Sequence, residues 1–281
     1  MKYSSIVLGV MLVGAVSCSS EPAMVHQMRK VRLIDAIRQT LLESVEAEKS
    51  AVLATTDAES TSMAEEARRS AATIDKLRGE LRSLIVADGR QVEIDRLDAF
   101  DAAWAEVERV DQRLLGLAVA NTNLKATRLA AAEGATHLDR FVDTLTAMGQ
   151  ATDPDTLRTL YAAAIAALRI QSLALVHIPT ADDAEMTRLE ERMRALGDEV
   201  EHDLGALRDR GHLPADELAR TTQTWNDYQL VLKDVLRLSR ENTNVISFDV
   251  SVHEKRLVTK RCLAALSALV DAVDVGPKGV R

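Results

Sequence analysis

Cysteine is nearly absent from this chain: Cys18 and Cys262 are the only two among 281 residues. A disulfide framework is thereby excluded, and packing must stabilise the fold. Cys262, between leucine and basic residues in a helical pattern, reads as a buried, inert thiol. Proline is equally scarce, with five in all, and none interrupts a periodic apolar segment. Pro22 and Asp153-Pro154 stand where helices begin, Pro179 and Pro214 between helices, and Pro277 in a C-terminal tail. Aromatic residues make up only 3%, while alanine and leucine supply most of the apolar content, a balance that favours long helices over sheets. Basic charge is in deficit, with a formal net charge of −8, so the basic stripe expected of a nucleic-acid partner is missing. Also missing are a Gly-x-Ser-x-Gly elbow, a phosphate loop, a His-Glu-x-x-His motif and a Cys-x-x-Cys-His haem attachment. The sequence therefore points away from an enzyme and implies no cofactor.

What is present is a repeat. Trp104 and Trp225, the only tryptophans, each precede an Asn-Thr-Asn triplet by 17 residues, at Asn121-Thr122-Asn123 and Asn242-Thr243-Asn244. One offset of 121 also carries Val110 onto Val231, Glu133 onto Glu254 and Leu145 onto Leu266. Two copies of one helical unit is the economical reading. Apolar periodicity predicts helices at 24–55, 58–87, 91–120 and 124–148, then 154–178, 182–210, 214–241 and 245–273. Short connections between long helices imply antiparallel neighbours. The expectation is all-α, with tandem four-helix bundles at 24–149 and 153–273 and a tail at 274–281. Thr180 with Asp183 reads as a capping-box analogue. The apolar stretch Leu160–Ile178 carries Arg169 near its centre, so it reads as a buried bundle helix rather than a membrane span.

Long apolar runs are otherwise confined to the start. Lys2 precedes an apolar run from Ile6 to Val16, too short to span a bilayer, and Ala15-Val16-Ser17 is a small-residue cleavage site. Residues 1–17 read as a signal peptide. With Cys18 next, Ala15-Val16-Ser17-Cys18 resembles the lipobox of bacterial lipoproteins, although Ala15 stands where that family prefers a large aliphatic residue. The resemblance implies a diacylglycerol on Cys18, a tether at 18–23, and an anchor on the periplasmic face of a membrane, the outer membrane favoured because position 19 lacks Asp. Ala15-x-Ser17 also suits plain secretion.

The run from Glu48-Lys49-Ser50-Ala51-Val52-Leu53 to Gly134 resembles the four-helix-bundle ligand-sensing domain of methyl-accepting chemotaxis proteins. Glu93-Ile94-Asp95, Phe100, Trp104, Leu114-Leu115-Gly116-Leu117-Ala118 and Asn121-Thr122-Asn123-Leu124-Lys125-Ala126 carry the likeness, which covers residues 40–149 best. The second copy keeps Trp225 and Asn242-Thr243-Asn244 but has Ile246-Ser247 where the first has Lys125-Ala126. The resemblance implies ligand sensing outside the inner membrane. The second membrane span, relay and signalling hairpin of that family have no counterpart here.

Asn121 and Asn242 continue the inward stripes of their helices, placing an amide at one end of each bundle, with Thr and Asn available to cap the next helix. Candidate ligand contacts are therefore Asn121, Asn123, Asn242 and Asn244, with Trp104 and Trp225 as core anchors or an aromatic wall. Glu199-x-x-His202 lacks the second such motif that a di-metal bundle needs, and reads as a surface pair. Arg68-Arg69 could meet an anion across a homodimer seam, though a solvated face is the simpler reading. The expected function is a non-enzymatic exported sensor for a small molecule; the alternative is an envelope adaptor docking a partner protein through its helical faces.

Overall fold

In the computed structural model, which describes residues 20–149 and 153–274, every element is helical. The predicted leader, Cys18 and the tail beyond Asp274 lie outside the described residues. The first copy comprises α1 (Ser20–Leu53), α2 (Asp57–Asp88), α3 (Gln91–Ala120), α4 (Thr122–Leu129) and α5 (Ala135–Met148). The second comprises α6 (Pro154–His177), α7 (Asp183–Arg210), α8 (Ala215–Glu241), α9 (Thr243–Val250) and α10 (Arg256–Asp274). One π turn, Ala130–Gly134, joins α4 to α5, and another, Ser251–Lys255, joins α9 to α10. Helix α1 starts four residues ahead of the predicted position, taking Pro22 into its first turn, where a missing N–H costs no hydrogen bond.

Local chemistry sets the ends. Thr56, Asp153 and Asp182 each accept a bond from a first-turn N–H, so the cap of α7 is Asp182 rather than Thr180. Gly89 and Gly211 close α2 and α7 with a φ of +68° that only glycine adopts without strain. The third helices end differently. Among the described residues Asn121 and Asn242 are the two non-glycine residues with positive φ, at 50° and 52°, and each next helix starts immediately after them.

That detail decides the topology. A single non-helical residue is too short for the two or more that an antiparallel helical hairpin requires. The chain therefore does not fold back at Asn121; it kinks and runs on into the other half. The first core gathers α1, α2 and α3 with Val250, Val258, Cys262, Leu266, Leu269 and Val273 of α9 and α10. The second core gathers α6, α7 and α8 with Leu138, Phe141, Leu145 and Met148 of α5. The two copies have exchanged their fourth helices. Contiguous bundles at 24–149 and 153–273 are thus replaced by a first bundle of α1–α3 with α9–α10, and a second of α4–α8.

The repeat also extends further than the tryptophan offset shows. The N-caps Thr56 and Asp182 stand 126 positions apart, and the same shift lays buried Ile34, Ile37, Leu41 and Ser44 onto buried Leu160, Ala163, Ala167 and Ile170. The later helices keep the offset of 121, which superposes the π turns residue for residue. Most positions in one bundle therefore have an internal counterpart in the other, the change of offset falling within the second helices, where α2 has 32 residues and α7 has 28.

One sequence expectation is corrected on α6. Its inner face is mostly alanine (Ala163, Ala164, Ala166, Ala167 and Ala174) with Leu160 and Ile170, while Tyr161, Ile165, Leu168, Leu175 and Val176 face outward. Small side chains let α7 approach closely, which satisfies the core and leaves the helix only partly covered. It is long and apolar enough to cross a membrane, yet 39% of that apolar window is buried in the fold.

Candidate functional site

The four asparagines do converge, but on one another. Backbone N–H of Thr122 donates to Thr243 Oγ1 at 3.0 Å, and that of Thr243 donates to Thr122 Oγ1 at 3.1 Å. Asn123 N–H donates to Asn244 Oδ1, and Asn244 N–H to Asn123 Oδ1, both at 3.1 Å. Asn123 Nδ2 donates to Asn242 Oδ1 at 2.7 Å, and Asn244 Nδ2 to Asn121 Oδ1 at 2.8 Å. Each copy thus caps the helix start of the other, satisfying first-turn donors that no helix can satisfy internally. The sequence motif is a crossing node. A groove of about 560 Å³ runs beside it, touched by Asn123 and Asn244, but the groups of both are already hydrogen-bonded within the node. The amide nitrogen of Asn121 alone is buried without a partner.

The tryptophans lie elsewhere. Seventeen helical residues correspond to roughly 25 Å, so neither ring reaches the node from its own helix. Trp104 is fully buried and donates Nε1–H to Asp75 Oδ1 at 2.9 Å. Trp225 packs between Phe141 and Tyr228, with ring centroids at 5.3 and 5.6 Å. Both anchor cores, and neither lines the groove beside the asparagines, whose one aromatic lining residue is Phe248.

The chemistry that sequence reasoning missed is in the first bundle. Lys255, buried in the π turn, donates to Asp111 Oδ1 of α3 at 2.5 Å. Glu48 of α1 is 0% exposed, and neither carboxylate oxygen has a hydrogen-bond partner. Burial pushes the Glu48 carboxyl above its usual range, and the neighbouring Ser251 hydroxyl and Lys255 ammonium pull it only partly back. Burial also raises Asp111, against the pull of Lys255. One turn on, the hydroxyl of Thr259 is buried and unpaired.

The second bundle shows that the fold does not require this cluster. At the matching positions, Ser251, Lys255 and Thr259 become Ala130, Gly134 and Leu138; Asp111 becomes Leu232; Glu48 becomes Ala174. All five are apolar or small. Burying three ionisable groups is costly, so their confinement to one copy marks that copy as specialised. The π turn, a feature common at functional sites, delivers two of them.

Beside the cluster lies a groove of about 480 Å³ between α1 and α9–α10, within the size range of small-molecule sites. Ser251, Lys255 and Thr259 reach it; Val45, Val52, Leu53, Phe248, Val252 and Leu263 form its apolar walls. Lys49, Arg256 and Lys260 complete the lining, and no acidic residue takes part. The arrangement is amphipathic and cationic.

Other constellations carry less. Ser239, His177 and Glu190 form a hydrogen-bonded chain, with Oγ to Nδ1 at 2.8 Å and Nε2 to Oε1 at 2.9 Å. A hydrolytic triad is ordered alike, but Ser239 and His177 are both fully enclosed, and the hydroxyl also lies 3.2 Å from the His177 carbonyl oxygen. Burial holds His177 below the usual imidazole range while the Arg240 guanidinium holds the Glu190 carboxyl below the usual carboxylate range, so the chain reads as a neutral imidazole braced against an ion-paired carboxylate. Glu199 and His202 are exposed on α7, as are Arg68 and Arg69 on α2; among the described residues no three His, Cys, Asp or Glu side chains group to hold a metal. Cys262 is fully buried and its thiol is pushed up to about 12 by burial. Ellman's reagent should therefore leave Cys262 unmodified in the folded protein and titrate it only in denaturant; rapid native labelling would contradict this burial.

Comparison with protein-family models, curated proteins and solved structures gave no match.

Proposed function

We propose that this chain is a non-catalytic ligand-binding module of the cell envelope, exported and held by a lipid on Cys18 at the periplasmic face of a membrane. The groove between α1 and α9–α10 is its ligand seat. The observation that carries this reading is the internal contrast: Glu48, Asp111, Ser251, Lys255 and Thr259 line or adjoin the groove in one bundle, while their matching positions in the other are apolar or small, and the lining cations Lys49, Arg256 and Lys260 are matched by Leu175, Ala135 and the oppositely charged Asp139. The resemblance of residues 40–149 to chemoreceptor sensing domains agrees with a sensing role. The seat differs from the one expected from the inward stripes of the third helices, since the Asn-Thr-Asn amides bond to one another in the crossing node.

Apolar walls with Lys49, Arg256 and Lys260 nearby and no carboxylate in the lining select an amphiphile with an anionic head. Dodecanoate is a suitable probe. It should raise the unfolding temperature of the protein, because a ligand that binds only the folded state stabilises it. Dodecyltrimethylammonium, with the same tail and opposite charge, should not. Val252→Trp fills the groove and Lys260→Glu reverses one of its charges; each should abolish the dodecanoate shift. Equal shifts from both amphiphiles, or unchanged shifts in both variants, would place binding elsewhere and sink this assignment.

A further inference from the structure

The second bundle has a surface that its own core does not explain. Along α6, Tyr161, Ile165, Leu168, Leu175 and Val176 are 48%, 56%, 45%, 47% and 54% exposed. With Ser172 filling one position, the series 161, 165, 168, 172, 175 advances by alternating steps of four and three. A mean step of 3.5 keeps a stripe nearly parallel to the helix axis, which is the geometry of a seam between two helices. The stripe runs for roughly 22 Å. Its exposed area is on the order of 400–500 Å², at the scale where apolar patches on soluble proteins mark interaction sites.

The repeat again supplies the control. The matching positions on α1 are Asp35, Gln39, Leu42, Lys49 and Ser50, four polar residues and one leucine, with Lys49 at the rim of the groove. The bundle architecture therefore does not demand an apolar exterior on this helix. Charge narrows the occupant further. No Asp or Glu occurs between Asp155 and Asp182, and Arg169 lies along the stripe, with Arg158 at its start paired to Asp155 at 3.1 Å. An antiparallel second copy centred on Leu168 would bring the two Arg169 side chains together. One helix seam also buries less than the roughly 800 Å² per partner typical of a stable protein pair, whereas it suits a single docked helix.

The geometry points to α6 as the docking surface for an amphipathic helix of a partner protein, with acidic residues flanking the partner's own apolar seam. This would give the binding module a contact through which to act on a partner, and it stands independently of the groove.

Two designed helical peptides test it, both carrying leucines at alternating three- and four-residue steps, one flanked by glutamates and the other by lysines. Fluorescence anisotropy should show the glutamate peptide binding the wild-type protein at least about ten-fold more tightly than the lysine peptide. Ile165→Glu with Leu168→Glu should weaken that binding at least about ten-fold while leaving the unfolding midpoint unchanged, because both side chains are exposed. Equal binding of the two peptides, or binding of neither, overturns the inference. A wild-type dimer by light scattering that the double variant dissolves would assign the stripe to a second copy instead. Sedimentation with phosphatidylglycerol vesicles, lost in the double variant and unaffected by the glutamate peptide, would assign it to a membrane surface. Either result also overturns the inference.

Discussion

Lys255→Met should lower the free energy of unfolding by about 3–5 kcal/mol, the usual cost of removing one partner from a buried ion pair. The substitution roughly keeps the length of the side chain and removes the cation, leaving Asp111 buried without its 2.5 Å partner and Glu48 without the stronger of the two lysine charges that act on it. The triple variant Glu48→Ala, Asp111→Leu, Lys255→Met gives the first bundle the second bundle's residues at two positions and an apolar side chain at the third, where the second has Gly134. It should recover wild-type stability or exceed it, since well-packed apolar replacements of buried ionic groups are often neutral or stabilising. Urea unfolding followed by circular dichroism reads both. The triple variant should also lose the dodecanoate response. Stability regained together with binding lost would separate a functional cluster from a structural one. A Lys255→Met variant within about 1 kcal/mol of wild type would remove the premise.

The pH dependence has a definite sign. Glu48 and Asp111 are raised in the folded state, so between their unfolded and folded values the native protein holds more protons than the unfolded chain. Their contribution is most favourable below the ordinary carboxylate range, roughly pH 4, and is lost as pH climbs through the raised folded values. Glu48→Gln should flatten that part of the profile. The Lys255–Asp111 pair also reports on topology, because the two residues belong to different copies and meet only when the fourth helices are exchanged.

How much of this was legible follows from where each signal sits. Helix number and placement came from apolar periodicity, which is local, and the duplication from tryptophans too rare to coincide by chance. The exchange was hidden in a single residue. Asn-Thr-Asn is an acceptable three-residue turn by composition, and only the immediate restart of α4 at Thr122 shows that there is no turn. Lys255 was hidden by its neighbours: Val252-His253-Glu254-Lys255-Arg256 reads as a solvated stretch, and the π turn alters the register that a 3.6-residue period assumes. Glu48, Asp111 and Lys255 are far apart in the chain and on three helices, and their meeting depends on the exchange. The α6 stripe failed for the opposite reason. Ile165 and Leu168 were apolar enough to be assigned to the core, but the alanines between them had already filled it.

The second large effect should come from the crossing node. Thr243→Val removes the hydroxyl that accepts from Thr122 N–H, leaving a buried first-turn donor unpaired at a cost of about 1–3 kcal/mol. The symmetric Thr122→Val should cost a similar amount. Asn123→Ala and Asn244→Ala each remove an acceptor for the other's backbone and a side-chain donor to the opposite triplet. Because these residues share bonds, the double variant should fall short of the summed single losses or exceed them by about 0.5–3 kcal/mol. Additive losses would mean that the two triplets act separately. Asn121→Ala adds a different penalty, about 1–2 kcal/mol for holding a Cβ-bearing residue without a local polar group at positive φ. Asn121→Gly should relieve that backbone term while still losing the acceptor for Asn244 Nδ2. A node held mainly by backbone conformation would leave the glycine variant close to wild type. One held by the reciprocal bonds would leave it clearly destabilised, and the number of bonds crossing between the triplets favours the second result.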